Sequence, residues 1–219
     1  QYQTVLVQET AGYNREREPV EAEIRYFQAI AERDTTGGGE AVRRTLRVVR
    51  RAGNRWEEIP CQVYDVRPYH WNRRAEKPEI MVRARVVFMA SCPFNMTNAY
   101  YVLYGNPDAP EPRYKSGLTV TGEDIGYTIS NSYFTIGTNP KSGQINKIDL
   151  AFAGKPSFSF VHGDMHWNPD FMYVPEDFPT TWFTWFYSHN FENPPGEVES
   201  GPLFFSVRRS QLVPGQDIA

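Results

Sequence analysis

Proline and glycine recur so often along this chain that no long, uninterrupted helix can form. The 219 residues include 17 prolines and 16 glycines, and both residue types destabilise helix interiors. Aromatic residues make up 15% of the chain, whereas disordered proteins are poor in them. No apolar run approaches the roughly 20 residues of a membrane-spanning helix. We therefore expect a strand-rich globular protein without a membrane span.

Alternation of apolar and charged residues predicts where the strands lie. The clearest case is 79–91, where Arg83 and Arg85 alternate with apolar residues, as in a strand with one buried and one solvated face. The tyrosine-rich stretch 98–106 is expected to be its hairpin partner. Further strands are predicted at 1–8, 19–28, 42–51, 56–66, 126–137, 144–152, 158–162 and 202–208.

Turn and breaker residues divide these strands. The stretch 139–143, Asn-Pro-Lys-Ser-Gly, has the residues of a tight turn, so its flanking strands should form a hairpin. Pro60 indicates a sheet edge or a bulge. Three prolines within 106–116 make that stretch the best linker candidate. We predict an all-β chain: a small β-barrel or Greek-key domain at 1–117, followed by antiparallel β-sandwich strands at 118–219.

Six arginines crowd one short stretch of the chain. They are Arg43, Arg44, Arg47, Arg50, Arg51 and Arg55. A nucleic-acid site would use such a cluster together with aromatic rings. However, the net charge is −3, and no nucleic-acid-binding motif accompanies the cluster. We expect a solvated strand face, or a surface that meets an acidic neighbour, and no nucleic-acid partner.

The two cysteines, Cys61 and Cys92, lack the close spacing of a zinc site. They would form a disulfide in an exported chain, or be two buried thiols otherwise. The chain begins at Gln1 without a methionine. A mature secreted chain would begin in this way, and so would an excised piece of a longer chain.

Several passages resemble the first part of large extracellular bacterial carbohydrate-active proteins. They read ETAG at 9–12, EPV at 18–20, YYVLYGNPDA at 100–109, GEDIG at 122–126, ISNSYF at 129–134 and GPLF at 201–204. The chain is similar to exo-rhamnogalacturonan-lyase-like proteins, in which a small β-barrel precedes a galactose-mutarotase-like β-supersandwich. The resemblance implies an extracellular or periplasmic protein. Those proteins are much longer, so we transfer no catalytic residue from them.

A sandwich that begins near residue 120 would have few strands in this chain. Unpaired edges and an open inner face favour association. We therefore expect other protein chains, of the same or a different kind, to complete the sandwich.

The sharpest candidate for chemistry is His162-Gly163-Asp164-Met165-His166. In an extended strand, His162, Asp164 and His166 project from the same face. Two imidazoles and a carboxylate suit zinc, manganese or iron, and Asp170 could add an oxygen ligand. The alternative is a polar strand end. The sequence thus offers one divalent metal ion as a possible cofactor.

Aromatic residues dominate the stretch that follows. Exposed rings could stack on sugars or form a protein interface, whereas buried rings would simply be core. The candidate residues for glycan or partner binding are Trp167, Tyr173, Trp182, Trp185 and Tyr187.

Two functions follow from these features. The first is a non-catalytic β-module or subunit of an extracellular assembly, which binds a glycan or a partner chain through an aromatic-rich surface. The second is the catalytic part of a polysaccharide lyase or glycosidase with a His/Asp cation site. Whether the chain is an enzyme is left open at this point.

Overall fold

The chain folds almost entirely into antiparallel β-sheets. The computed structural model describes residues 1–29, 43–72, 79–106, 108–141, 143–152, 155–161, 171–173, 184–186 and 197–208. Within them, sixteen strands pair antiparallel throughout, and one helical turn lies at 43–45. No helix in this described part is long and apolar enough to cross a membrane. The prediction of an all-β chain is confirmed.

The chain divides into two compact units. The first unit comprises Gln1–Lys115 together with Gly201–Leu203, and the second comprises Ser116–Ser200 and Phe204–Ala219. The first unit has seven strands: β1 (Tyr2–Gln8), β2 (Arg15–Ala29), β3 (Arg47–Ala52), β4 (Arg55–Ile59), β5 (Cys61–Asn72), β6 (Glu79–Cys92) and β7 (Thr97–Leu103). Sheet A has the order β1-β7-β3-β4, and sheet B has the order β2-β6-β5.

Sheets A and B share one hydrophobic core. Strand β6 contributes Val82, Ala84, Val86 and Phe88, all fully buried, and the charged residues between them lie on the other face. The predicted alternation of this strand is therefore confirmed. Burying each of these valine and phenylalanine side chains stabilises the fold by about 1.5–3 kcal/mol. From sheet A, Tyr100 packs its ring against Phe88 at a centroid distance of 4.9 Å.

The expected pairing of β6 with the tyrosine-rich strand is wrong. Strand β7 pairs with β1 and β3 in sheet A, whereas β6 pairs with β2 and β5 in sheet B. The short turn after Cys92 carries the chain from one sheet to the other. Pro60, the single residue between β4 and β5, marks a second crossing of this kind. Its missing N–H cannot join a strand ladder, which suits the position where the chain leaves one sheet.

The proline-rich stretch that follows β7 lies against the first unit for part of its length. The Tyr114 hydroxyl donates a 2.7 Å hydrogen bond to Glu58, and the Arg47 guanidinium donates to the Pro110 carbonyl. The predicted boundary lay at 117, and the first unit here extends to Lys115. These contacts make residues up to 115 part of its packing.

The second unit contains the remaining strands. They are β8 (Thr119–Glu123), β9 (Gly126–Ser130), β10 (Phe134–Thr138), β11 (Ile145–Phe152), β12 (Lys155–Val161), β13 (Phe171–Tyr173), β14 (Thr184–Phe186), β15 (Glu197–Ser200) and β16 (Phe205–Arg208). Sheet C is a five-stranded meander of order β12-β11-β10-β9-β8, and the last four strands form two hairpins.

Sheet C has one apolar face and one polar face. Cross-strand partners on the first face are apolar, and they include Val120, Ile129, Ile136, Ile148 and Phe160. Partners on the second face are polar, and they include Thr128, Ser130, Thr135, Asp149 and Ser159. An apolar face of this kind is the inner face of a sandwich layer.

The predicted hairpin around 139–143 is confirmed. Strands β10 and β11 pair across it, and the Gly143 N–H donates a 2.7 Å hydrogen bond to the Asn139 carbonyl. Gly143 has φ of 72°, a left-handed conformation that glycine adopts without steric strain.

Candidate binding surface on the first unit

The residues predicted for metal binding lie outside the described part of the chain. These are His162, Asp164, His166 and Asp170. Across the residues that are described, no group of three His, Cys, Asp or Glu side chains could hold a metal ion. The metal site therefore stays a prediction from sequence.

The predicted aromatic residues are also largely outside the described part. Trp167, Trp182 and Tyr187 are not among the described residues. The backbones of Tyr173 and Trp185 lie in β13 and β14, where Tyr173 pairs with Thr184 and Trp185 with Met172. Their role in binding likewise stays a prediction.

A different aromatic surface occupies the outer face of sheet A. Strand registers place Tyr2, Thr4 and Leu6 of β1 on this face, opposite Leu103, Tyr101 and Ala99 of β7. Tyr2 is 62% exposed and Leu6 is 67% exposed. Large apolar side chains so accessible on one sheet face indicate a binding surface.

Three rings cross this face diagonally from one edge strand to the other, and we call them the aromatic row: Tyr2, Tyr101 and Trp56. Tyr101 packs edge-to-face with Tyr2 at a centroid distance of 5.7 Å and with Trp56 at 5.2 Å. Trp56 is 61% exposed, whereas Tyr101 is half-buried. The central ring therefore fixes the positions of two exposed rings that flank it.

Local sequence explains how the row forms. Consecutive side chains of a strand point to opposite faces, so Tyr100 enters the core and Tyr101 faces outward. The turn at Gly53 and Asn54 joins β3 and β4 and places Trp56 opposite Arg51. Gly53 has φ of 61°, as tight hairpin turns require.

The arginines of β3 differ in whether a described carboxylate pairs with them. Arg47 and Glu58 form an ion pair of 3.3 Å, and Arg50 donates to Glu57 at 2.7 Å. The hydrogen bond to Glu57 raises the pKa of Arg50 above its ordinary value. Arg51 instead donates from Nε to the Gly53 carbonyl at 3.1 Å, and no carboxylate pairs with it among the described residues.

A cavity of about 320 Å³ opens beside the aromatic row. It is lined by Arg50, Arg51, Ala52, Asn98, Ala99 and Tyr101. The Asn98 amide donates a 2.7 Å hydrogen bond to the Ser91 carbonyl, which leaves its side-chain oxygen as an acceptor. The cavity thus combines a ring, the Arg51 guanidinium and a hydrogen-bond acceptor.

A second cavity, of about 330 Å³, lies where β1 ends and β2 begins. Beside it stands Glu9, whose side chain is only 2% exposed. Its oxygens accept backbone N–H hydrogen bonds of 2.8–3.2 Å from Ala11, Gly12 and Asn95. Burial raises the pKa of Glu9, but the backbone hydrogen bonds together outweigh burial and hold the pKa below its ordinary value. Glu9 therefore joins two loops, which is a structural role.

The outer face of sheet B is a lattice of ion pairs. Asp65 lies 3.8 Å from Arg83 and 3.6 Å from Arg85, and Arg85 is 3.0 Å from Glu21. These pairs neutralise the charges, although Nε of Arg83 and Nε of Arg85 are buried without a hydrogen-bond partner among the described residues. This face is accordingly a solvated charged surface, in contrast to the outer face of sheet A.

The two cysteines are free thiols, and both are buried. Burial is the main reason why the pKa of Cys61 is raised. A raised pKa keeps the thiol protonated and unreactive.

Comparison with known proteins found no relative of this chain. No protein-family model, no curated protein and no solved structure matches the chain. The resemblance to exo-rhamnogalacturonan-lyase-like proteins therefore remains an expectation from the sequence.

No local sequence pattern predicts the aromatic row. Its three members lie 45 to 99 residues apart in the chain and come together through sheet pairing alone. One local signal was available, because adjacent tyrosines in a strand must place one ring outside the core. The strand order was needed to show which rings meet it.

Proposed function

We propose that this chain is a non-catalytic β-module that binds a glycan on the outer face of sheet A. The observation that carries the proposal is the aromatic row, in which Tyr2 and Trp56 are exposed and are held apart by Tyr101. Sugar rings present flat C–H faces that pack against exposed aromatic rings. Rigid placement of the rings lowers the entropy lost on binding.

Polar groups beside the row suit the same ligand. The Arg51 guanidinium lies opposite Trp56 and has N–H groups available for a sugar hydroxyl or carboxylate. A binding site of this type combines an apolar platform with a few polar groups that set orientation.

The resemblance to exo-rhamnogalacturonan-lyase-like proteins also implies a location and an assembly for the module. We place the module in an extracellular or periplasmic assembly related to polysaccharide-active proteins, in which further chains complete the second unit. The apolar face of sheet C supports a second layer in that unit. Size-exclusion chromatography with light scattering tests this part, because a stable monomer with one cooperative melt would contradict a shared core.

A partner chain is the second candidate ligand for sheet A. Leu6 and Leu103 extend the apolar surface beyond the aromatic row, and Leu103 is 37% exposed. Aliphatic side chains of this kind are more typical of protein interfaces than of sugar platforms. Leu6→Ala distinguishes the two ligands, since a protein interface depends on Leu6 and a stacked sugar does not.

The test is direct binding of the full chain to a panel of neutral and acidic polysaccharides, followed by calorimetry. We expect Trp56→Ala and Tyr2→Ala each to weaken binding by about 1 kcal/mol, which is roughly fivefold in Kd. Tyr133→Ala is the matched control, because Tyr133 is 69% exposed and belongs to the second unit. An equal loss of affinity in Tyr133→Ala, or failure of the wild-type chain to bind any polysaccharide, would refute the proposal.

A further inference from the structure

We infer that the aromatic row binds an internal stretch of an extended glycan chain, which lies across the strands of sheet A, rather than a chain end. This inference rests on the proposed glycan-binding function and adds the mode of recognition. It names the ligand class as polymeric chains of several consecutive sugars.

The first argument is the position of the row relative to the sheet edges. Tyr2 belongs to β1 and Trp56 to β4, and these are the two outermost strands of sheet A. Among the described residues, no further strand pairs with the outer side of either one. A ligand that contacts both rings therefore crosses all four strands of the sheet, and in the described part of the chain no paired strand closes its path at either edge.

The width of sheet A also favours a ligand of several consecutive sugars. Neighbouring strands lie about 4.8 Å apart, so four strands make a face roughly 14 Å wide, or about three consecutive sugar rings. The centroid separations of 5.7 Å and 5.2 Å place rings at successive positions along this path. A single sugar would contact one exposed ring and leave the other unused.

The cavity lies beside the path of the ligand, where β3 and β7 separate. Its lining residues are Arg50, Arg51 and Ala52 of β3 and Asn98, Ala99 and Tyr101 of β7, and the ladder between these two strands ends at the pair Arg50–Tyr100. Because Tyr101 is also the central ring of the aromatic row, a sugar that lies between the two exposed rings can place a substituent in this cavity.

Charge along the path is uneven. Arg51, which pairs with no carboxylate among the described residues, lies opposite Trp56, whereas Arg47, the cross-strand partner of Leu103 near Tyr2, is paired with Glu58. An acidic substituent is therefore favoured at the Trp56 end. This asymmetry gives the bound chain a preferred direction.

The experiment measures Kd for oligogalacturonate and cello-oligosaccharide series, from one sugar to about six, with the full chain. For the series that binds, we expect affinity to rise about tenfold between one and three sugars and then to level off. Borohydride reduction of the reducing end should leave the Kd of the longest oligosaccharide unchanged within about twofold.

One variant locates the path, and a second serves as its control. Tyr2→Ala should weaken binding of long oligosaccharides about fivefold and leave the affinity for the shortest ones unchanged, because it removes one end of the platform. Tyr133→Ala is again the control. Affinity that is independent of length, or binding abolished by end reduction, overturns the internal-chain mode while glycan binding stands. Failure of the wild-type chain to bind any oligosaccharide or polysaccharide overturns both proposals.

Discussion

Tyr100 and Ser91 exchange two hydrogen bonds across the core of the first unit. The Tyr100 hydroxyl accepts from the Ser91 backbone N–H at 2.7 Å and donates to the Ser91 carbonyl at 2.9 Å. Tyr100 belongs to sheet A and Ser91 to sheet B, so this pair joins the two layers just where the chain crosses between them. It satisfies backbone groups that β6 leaves unpaired near its end.

We expect Tyr100→Phe to destabilise the first unit by about 1–3 kcal/mol, because the substitution leaves the part-buried Ser91 N–H without its partner, whereas the Ser91 carbonyl keeps the hydrogen bond from the Asn98 amide. The ring itself and its packing on Phe88 are retained, so the decrease in the free energy of unfolding is due to loss of the hydroxyl. Urea unfolding of the full chain measures it. Tyr133→Phe is the matched control, since it removes the same hydroxyl from a ring that is 69% exposed, and it should cost less. An equal cost for the two variants would contradict this account.

The Glu9 carboxylate should make stability depend on pH. Its folded pKa lies below its ordinary value of 4.5, so the ionised group stabilises the fold above that pH. The contribution is lost as pH falls through the lowered folded pKa. We expect Glu9→Gln to lower Tm at neutral pH and to lose this difference in acid. Thermal melts between neutral pH and about pH 3 measure the change.

A matched control exists on the neighbouring strand. Glu16 is exposed, and Glu16→Gln should leave Tm close to that of the wild type across the same range. If Glu9→Gln matched the wild type at neutral pH, the proposed joining of the two loops by Glu9 would be wrong.

The thiol of Cys61 should report on the docking of the proline-rich stretch. Its sulfur lies 3.8 Å from the Tyr114 hydroxyl, and burial raises the pKa of the thiol. We expect slow alkylation of both cysteines in the native chain. Tyr114→Ala should accelerate alkylation at Cys61 severalfold while Cys92 serves as the internal reference, and mass spectrometry of peptides reads both sites. Equal acceleration at both cysteines would indicate general unfolding instead.

The metal site predicted from sequence has its own test. If His162, Asp164, His166 and Asp170 hold a divalent ion, the purified chain carries about one equivalent of metal, and His166→Ala loses it. Elemental analysis of the wild-type chain and of His166→Ala measures the metal content of each. Absence of stoichiometric metal from the wild type would remove the main reason for the lyase or glycosidase alternative.

Alternation in the sequence was enough to predict the strand at β6 and which of its faces is buried. Side-chain direction has a period of two residues, so the positions of Arg83 and Arg85 determine the positions of the apolar residues between them. The partners of that strand could not be predicted in the same way. An alternating strand fits any neighbour with a matching face, and the sheet crossings at Pro60 and after Cys92 decided the pairing.

The candidate binding surface shows the same difference between what a local pattern predicts and what strand pairing decides. Composition predicted an aromatic-rich binding surface, and the sequence directed attention to the dense cluster after residue 160. The described surface is built on the first unit from Tyr2, Trp56 and Tyr101, which are distant from one another along the chain. Rings that are distant in sequence carry no local signal of their proximity.

What the sequence determined by itself is the class of fold, because frequent proline and glycine exclude long helices and alternation specifies strands with one buried face. Only the tertiary structure decided which outer face is charged and which is aromatic. Arg47 and Arg50 meet glutamates through strand register, whereas Arg51 does not. Register is set by turns and by core packing over the whole unit, so a local pattern cannot specify it.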